Sequence, residues 1–370
     1  MPEYMCRVIT HIHSDASNAL ASPNYERITR LSRDILGPAL DRVHWCECMT
    51  HARTLVEILD GRQTRRRIDL LFVTDHKSLR QHRIAGDLVA AAVARPRLGI
   101  GAEMVTFVPA RSGDWIAAPE VLLYGPAEPQ VTCGGSYHGL SQRNLDDLFD
   151  VCTPPGAPGP ELTRVARFCL DRQFAYAASH PLDGHRLPLA DLLRVLRMFP
   201  FIETVNGGFS TESARLLTRL VETENRRVRG QGAGRPVLAA DGRLPLFHIR
   251  QVLGGSDAHL RDFDRVVTLF AAARPDPTAG DFIAAMLAAT EDPAGTDGRF
   301  AVEGDGIGLA ALAREVTAVV FRNIANNRHA IRGVLPAARL LLTAVAQLWR
   351  ADRASRRRQR ELARHLTGCG

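Results

Sequence analysis

Seven short apolar runs punctuate the chain: Cys6–His11, Ile68–Thr74, Leu98–Ala102, Val121–Tyr124, Phe174–Ser179, Phe201–Val205 and Val252–Ser256. Most are continuous rather than alternating, the pattern of strands buried on both faces in a parallel sheet. Between several of them lie stretches with helical spacing of apolar residues, Arg53–Asp60, Gln81–Val93, Ala190–Phe199 and Glu212–Asn225. This alternation predicts an α/β fold, a parallel sheet or barrel with functional groups at the C-terminal ends of its strands. Pro154–Pro160 and Arg229–Pro236 read as surface loops. Beyond Gly306 the period changes: Ile307–Phe321 and Leu335–Trp349 predict a helical hairpin, packed on the barrel or on a second subunit.

Composition narrows the class. With 370 residues, 45% hydrophobic and 24% charged, the chain has the makeup of an ordinary globular protein, neither disordered nor fibrous. The net charge of +7 favours anionic partners, and much of it lies in the last twenty residues. The run ADRASRRRQRELARH (Ala351–His365) reads as a solvated C-terminal helix, with nucleic acid or acidic lipid as the sharper alternative; no aromatic residues interleave its arginines, which weighs against single-strand binding. The N-terminal MPEYMCRVIT lacks a basic segment followed by an apolar one, and Val334–Trp349 is interrupted by Arg339, so neither signal peptide nor membrane span is expected and the expected location is cytoplasmic. Seven scattered cysteines point to reduced thiols. Cys46 and Cys48, flanked by His44 and His51, are a conceivable zinc cluster, but their spacing matches no common zinc pattern.

The strand ends carry the chemistry. His11 and His13 stand two residues apart where the first run ends, so a strand projects both imidazoles on one face. The second run ends in Thr74-Asp75-His76, the third in Gly101-Ala102-Glu103, the fifth in His180-Pro181, the sixth in Glu203 and Asn206, and the last in Asp257-Ala258-His259; Glu120 precedes the fourth. Closing the sheet would gather imidazoles and carboxylates suited to zinc, manganese or iron, with one glutamate able to bridge two ions.

The motifs THIHSDASN, VTDHKSL, GAEM, ASHPL, IETVNG and GGSDAH, in this order over roughly residues 6–290, make the chain resemble the PHP (polymerase and histidinol phosphatase) domain superfamily. The resemblance implies a distorted (β/α)7 barrel over residues 1–300 and hydrolysis of phosphate esters at two or three divalent metal ions. One metal would be held by His11, His13, Glu103 and Asp257. A second would share Glu103 and use His180 and Glu120, the latter where many members have histidine; a third would use His76 and His259. The chain departs from the pattern at Asn18, where a carboxylate is usual, and at Lys77 after the second motif. Residues 22–67 form an insertion expected to be a helical lid, and residues 301–370 a helical, basic extension.

The implied chemistry is in-line attack of a metal-activated water on phosphorus, with Asp257, His259 and His180 as candidate proton donors to the leaving group. Lys77 and Arg80 are candidates for gripping phosphate oxygens. Asp75, Glu203 and Asn206 are candidates for orienting ligands, Glu203 equally for a structural role. His138, His185 and Gly134-Gly135-Ser136 read as surface or turn residues. The leading function is hydrolysis of a small phosphate monoester or nucleotide. A nuclease and a regulatory barrel with a partly degenerate site are the alternatives.

Overall fold

The computed structural model describes residues 4–17, 34–37, 42–43, 45–46, 48, 50–76, 78–89, 97–110, 112–125, 140–182, 187–208, 210–230, 237–238, 245–257, 262–296 and 298–368. Its strands are β1 (Tyr4–Ile9), β2 (Leu70–Val73), β3 (Leu98–Met104), β4 (Phe107–Pro109), β5 (Trp115–Ala117), β6 (Glu120–Gly125), β7 (Ala175–Ser179), β8 (Phe201–Asn206), β9 (Val237–Leu238), β10 (Pro245–Leu246), β11 (Gln251–Gly255), β12 (Val266–Ala272) and β13 (Phe300–Gly304). Its helices are α1 (Ala52–Leu59), α2 (Arg80–Val89), α3 (Gln142–Cys152), α4 (Leu162–Asp171), α5 (Leu189–Leu196), α6 (Thr211–Gly230), α7 (Ala279–Glu291), α8 (Leu309–Asn326) and α9 (Val334–Gly368).

Nine strands form one sheet in the order β11-β8-β7-β6-β3-β2-β1-β12-β13. All seven predicted runs are strands of it. The expected parallel arrangement is corrected, because β6 runs antiparallel to both β3 and β7, and β12 antiparallel to β1 and β13. Between β3 and β6 the chain makes only the small β4–β5 hairpin, and an antiparallel return requires no crossover helix. The sheet curls until it is nearly closed: Thr268 Oγ1 of β12, the strand next to one end, accepts from Gly254 N of β11, at the other end, at 2.9 Å and donates to Gly254 O at 3.1 Å.

Period-two alternation explains the continuous apolar runs. Cys6 and Val8, Leu70 and Phe72, Leu122 and Tyr124, and Ala175 and Ala177 fill the interior together with Phe282 and Met286 of α7. The alternate residues Leu71 and Val73 pack outward against Leu55 and Ile58 of α1. Val121, Leu123, Tyr176 and Ala178 face the outer layer of α3 to α6. The central strand positions are thus apolar on both faces, since both are covered. Gly99 supplies the exception on β3: a side chain there would collide with the ring of Phe72.

The described parts of the two segments expected as additions pack against the body. Of the supposed lid, helix α1 packs on β1 and β2 and is part of the barrel wall. Leu36, Val43 and Trp45 join a separate apolar cluster with Val320, Ile331 and Leu340 of the C-terminal region. There Asn323 accepts from Cys46 N at 2.8 Å and donates to Cys46 O at 2.7 Å. The basic tail is also not a solvated appendage. Helix α9 continues to Gly368, buries Leu362 and Leu366 in the main outer core, and sends buried Arg358 to the carbonyl of Leu182 at 2.8 Å.

Leu362 is fully buried whereas Leu342, on the same helix, is 69% exposed. Leu362→Ala is expected to lower unfolding free energy by about 2–5 kcal/mol. Leu342→Ala should change it by less than about 0.5 kcal/mol. Chemical denaturation of both variants checks the contrast.

Candidate metal centre

The same alternation that fills the barrel delivers carboxylates to its mouth. On β3, Ile100, Ala102 and Met104 pack outward, so Gly99, Gly101 and Glu103 face in. On β6, Leu122 and Tyr124 face in, and two residues earlier so does Glu120. On β8, Glu203 follows inward-facing Phe201 by two. The imidazoles leave the ends of β1, β2 and β7, where regular pairing stops. Gly255 of β11 completes the packing, since a side chain there would collide with Glu203 Oε1 and crowd His11.

Around Glu103 these groups converge. Its Oε2 lies 2.9 Å from His13 Nε2, 3.3 Å from His11 Nε2 and 3.4 Å from His76 Nε2, and its Oε1 lies 3.5 Å from His180 Nε2. His11 Nε2 and His13 Nε2 are 3.0 Å apart. Asp257 Oδ1 stands 3.9 Å from His11 Nε2 and 3.8 Å from His13 Nε2, and Glu120 Oε2 stands 3.8 Å from His180 Nε2. All of these side chains are buried. Two donor groups emerge, His11, His13 and Glu103, and His76, Glu103 and Glu120; within each, the candidate ligand atoms lie within 4.8 Å of one another, and Glu103 belongs to both.

Supporting contacts fix the donors' aim. Glu203 Oε1 takes a hydrogen bond from His11 Nδ1 at 2.9 Å, which turns Nε2 toward Glu103. Its Oε2 accepts from His180 N at 2.9 Å, Asn206 Nδ2 at 3.0 Å and Ser179 Oγ at 3.2 Å. Glu203 therefore holds two of the imidazole-bearing loops at once. His180 and Asp257 have positive φ, 24° and 43°, which costs a non-glycine residue energy. Their backbone N–H groups bond Glu203 Oε2 and His11 O, and these bonds hold the strained conformations in place.

The electrostatics are those of a cation-binding cluster. Burial alone would depress the imidazole of His11, but the carboxylates of Glu103, Glu203 and Asp257 outweigh it and hold it well above its ordinary value. For His180 burial is likewise overcome, by a hydrogen bond to Glu103 and the charges of Glu120 and Glu103, and the group rises to about 10. Glu103 is held well below the usual carboxylate range by His11, His13 and His180, against the effect of burial. Glu120 is pushed up to about 7 by burial and by the charge of Glu103. Three imidazole nitrogens crowd one carboxylate oxygen, which has only two lone pairs for hydrogen bonds. Divalent cations fit this donor set, for imidazole and carboxylate together suit zinc, manganese or iron.

His11, His13, His76, Glu103, Glu120, His180 and Asp257 are thus gathered in one place, with Glu203 and Asn206 behind them. His76 groups with Glu103 and Glu120. Lys77, His259 and Asn18 lie outside the described residues, as do His44, His138, His185 and Gly134-Gly135-Ser136. Asp75, read as orienting His76 or a neighbouring ligand, accepts from Ser14 N at 2.6 Å and Ser14 Oγ at 2.5 Å, and so fixes the turn after His13. Arg80 is exposed at the start of α2. Cys46 and Cys48 form no metal group among the described residues: burial and Asp15 push the Cys46 thiol up to about 11, and Cys48 Sγ lies 2.9 Å from Thr50 Oγ1. One pair was not legible in advance, Asp15 Oδ2 with His51 Nδ1 at 2.5 Å, which ties the turn after His13 to the start of α1.

A mixed α/β barrel with a buried imidazole–carboxylate cluster at its mouth defines the class. No protein-family model and no curated protein matches the chain. Among solved structures it is similar to an amidohydrolase from Chromobacterium violaceum, crystallised with sulfate and no metal, at 13% identity and TM-score 0.38, over 75% of this chain and 96% of that one. It is also similar to a candidate metal-dependent phosphoesterase from Bifidobacterium adolescentis, at 13% identity and TM-score 0.37, over 67% and 94% of the two chains.

Because metal ligation requires deprotonated imidazole, protons and cations compete for this cluster. The stabilisation from the raised pKa of His180 is fully present below about 6.5 and is lost as pH rises through about 10. Chelator-treated protein should therefore show a falling thermal midpoint between these values, and added manganese should abolish the decline. Glu203→Gln is expected to weaken metal binding about 10- to 100-fold, as read by calorimetry.

Proposed function

We propose that the chain is a metal-dependent phosphoesterase that hydrolyses a small phosphate monoester or nucleotide. The observation that carries this reading is the pair of buried donor groups sharing Glu103, because a carboxylate common to two sets of imidazole and carboxylate donors is the arrangement used to hold adjacent divalent ions. His11, His13, Glu103 and Asp257 would hold one ion, and Glu103, Glu120, His76 and His180 another. The choice of a phosphoester over other electrophiles rests on the six sequence motifs and their order.

When bound, divalent cations at such a site supply a nucleophile at neutral pH and neutralise charge on the phosphoryl oxygens. The chain's own residues do the rest. Glu203, bonded to His11 Nδ1, would keep Nε2 as the nitrogen turned toward an ion. Asp75 holds the turn that sets His13. Of the sequence candidates for passing a proton to the leaving alkoxide, His259 is the one these two ion sites leave uncommitted, and Lys77 is the candidate for gripping the phosphate.

The basic tail, the feature that would favour nucleic acid as substrate, lends that alternative little support. Its last turns are anchored in the core, Arg358 is bonded to Leu182, and Arg356 and Arg357 pair with Asp352 and Glu361.

Screening phosphorylated metabolites against manganese-, zinc- and iron-loaded protein tests the proposal, with release of inorganic phosphate as the readout. Asp257→Ala is expected to lower turnover at least about a hundredfold with an unchanged circular dichroism spectrum. Unaltered turnover would remove Asp257 from the ligand set, and no metal-stimulated phosphate release from any compound would overturn the reading.

A further inference from the structure

The hairpin of α8 and α9 has an apolar face on each side. Inward, Leu340, Leu341 and Ala344 pack with Trp45 and Val320. Outward, six large apolar side chains are exposed, Phe321, Val334, Leu335, Leu342, Val345 and Trp349, of the ten that are exposed among the described residues. On α9, Leu335, Leu342, Val345 and Trp349 recur at spacings of seven, three and four, so they share one helix face about 21 Å long. Trp349 is 57% exposed.

The charge along this face is predominantly positive, and the carboxylate beside it, Asp352, is paired with Arg356 at 2.8 Å. From Val316 to Ala351 the chain contains Arg322, Arg328, Arg332, Arg339 and Arg350 and no aspartate or glutamate. All five arginines are exposed. Arg353 follows, its guanidinium 5.3 Å from the ring centroid of Trp349, at the border between the apolar stripe and the charge.

We propose that this outward face docks on an anionic lipid bilayer surface. A second copy of the chain would bring arginines mostly against arginines, since the nearby carboxylate of Asp352 is already paired with Arg356. A nucleic acid would satisfy the arginines but leave the leucines, Val345 and Trp349 in water. An anionic bilayer satisfies both, because a helix lying in the interface buries its apolar side among the acyl chains while arginines reach the headgroups. No helix among the described residues is long and apolar enough to cross a membrane, so the contact is peripheral. It involves none of the groups around Glu103 and does not depend on the function proposed for them.

Cosedimentation of the full chain with phosphatidylcholine vesicles, with and without phosphatidylglycerol, tests the proposal. Binding is expected only with phosphatidylglycerol, weakening as salt rises, with a blue shift of tryptophan emission that Trp349→Phe removes. Arg339→Glu combined with Arg350→Glu should lower partitioning on the order of a hundredfold, and Leu342→Ser on the order of tenfold, with thermal midpoints unchanged. Equal binding to neutral vesicles, or no binding, overturns the proposal. So does binding of a duplex or single-stranded oligonucleotide with Trp349 emission unmoved, or a dimer in light scattering that Leu342→Ser dissociates.

Discussion

The structure turns on the problem of placing four carboxylates, those of Glu103, Glu120, Glu203 and Asp257, in the buried mouth of a barrel. Carboxylates this close in low dielectric repel one another strongly, and the cluster persists only because imidazoles interleave them. Each imidazole then has to be aimed. Glu203 does so for His11 and for the His180 loop, and Asp75 does so for the turn after His13. The glycines of β3 and β11 are part of the same solution, since they give up side chains where Phe72, His11 and Glu203 must approach the backbone. The fold around the site follows from these positions as much as from the hydrophobic core.

Much of this was legible in the sequence because period and position coincide. The seven apolar runs mark strands, and the residues at their ends meet, since inward-facing residues near the ends of adjoining strands have nowhere else to point. What the sequence concealed was direction. A continuous apolar run is equally compatible with a parallel or an antiparallel neighbour once both faces are covered, and β6 and β12 are antiparallel. Strands β12 and β13 are less legible although Val266–Ala272 is apolar but for Thr268, because an alternation of strand and helix offers no place for two successive strands after β11.

The roles of individual polar residues were less legible than their neighbourhood. Asp75 sits beside His76 in sequence, yet its carboxylate serves Ser14, sixty-one residues away. Glu203 could have been a structural group or an orienting one, and its two oxygens do both kinds of work at once. The basic tail illustrates the converse, for the arginine count of Ala351–His365 dominates its appearance while Leu362 and Leu366, fewer and easily overlooked, decide where the helix goes.

The joint between the two termini bears on how the chain comes to be folded. Strand β1 lies between β2 and β12, whose residues are about 260 positions later, and Trp45 and Cys46 are seated by a helix later still. At a synthesis rate of about 5–20 residues per second, an early segment waits some tens of seconds for these partners. During that interval one edge of β1 exposes unpaired backbone, a template for wrong pairing. High contact order of this kind makes barrel closure a late event in biogenesis, and places His11 and His13 among the last groups to reach their neighbours.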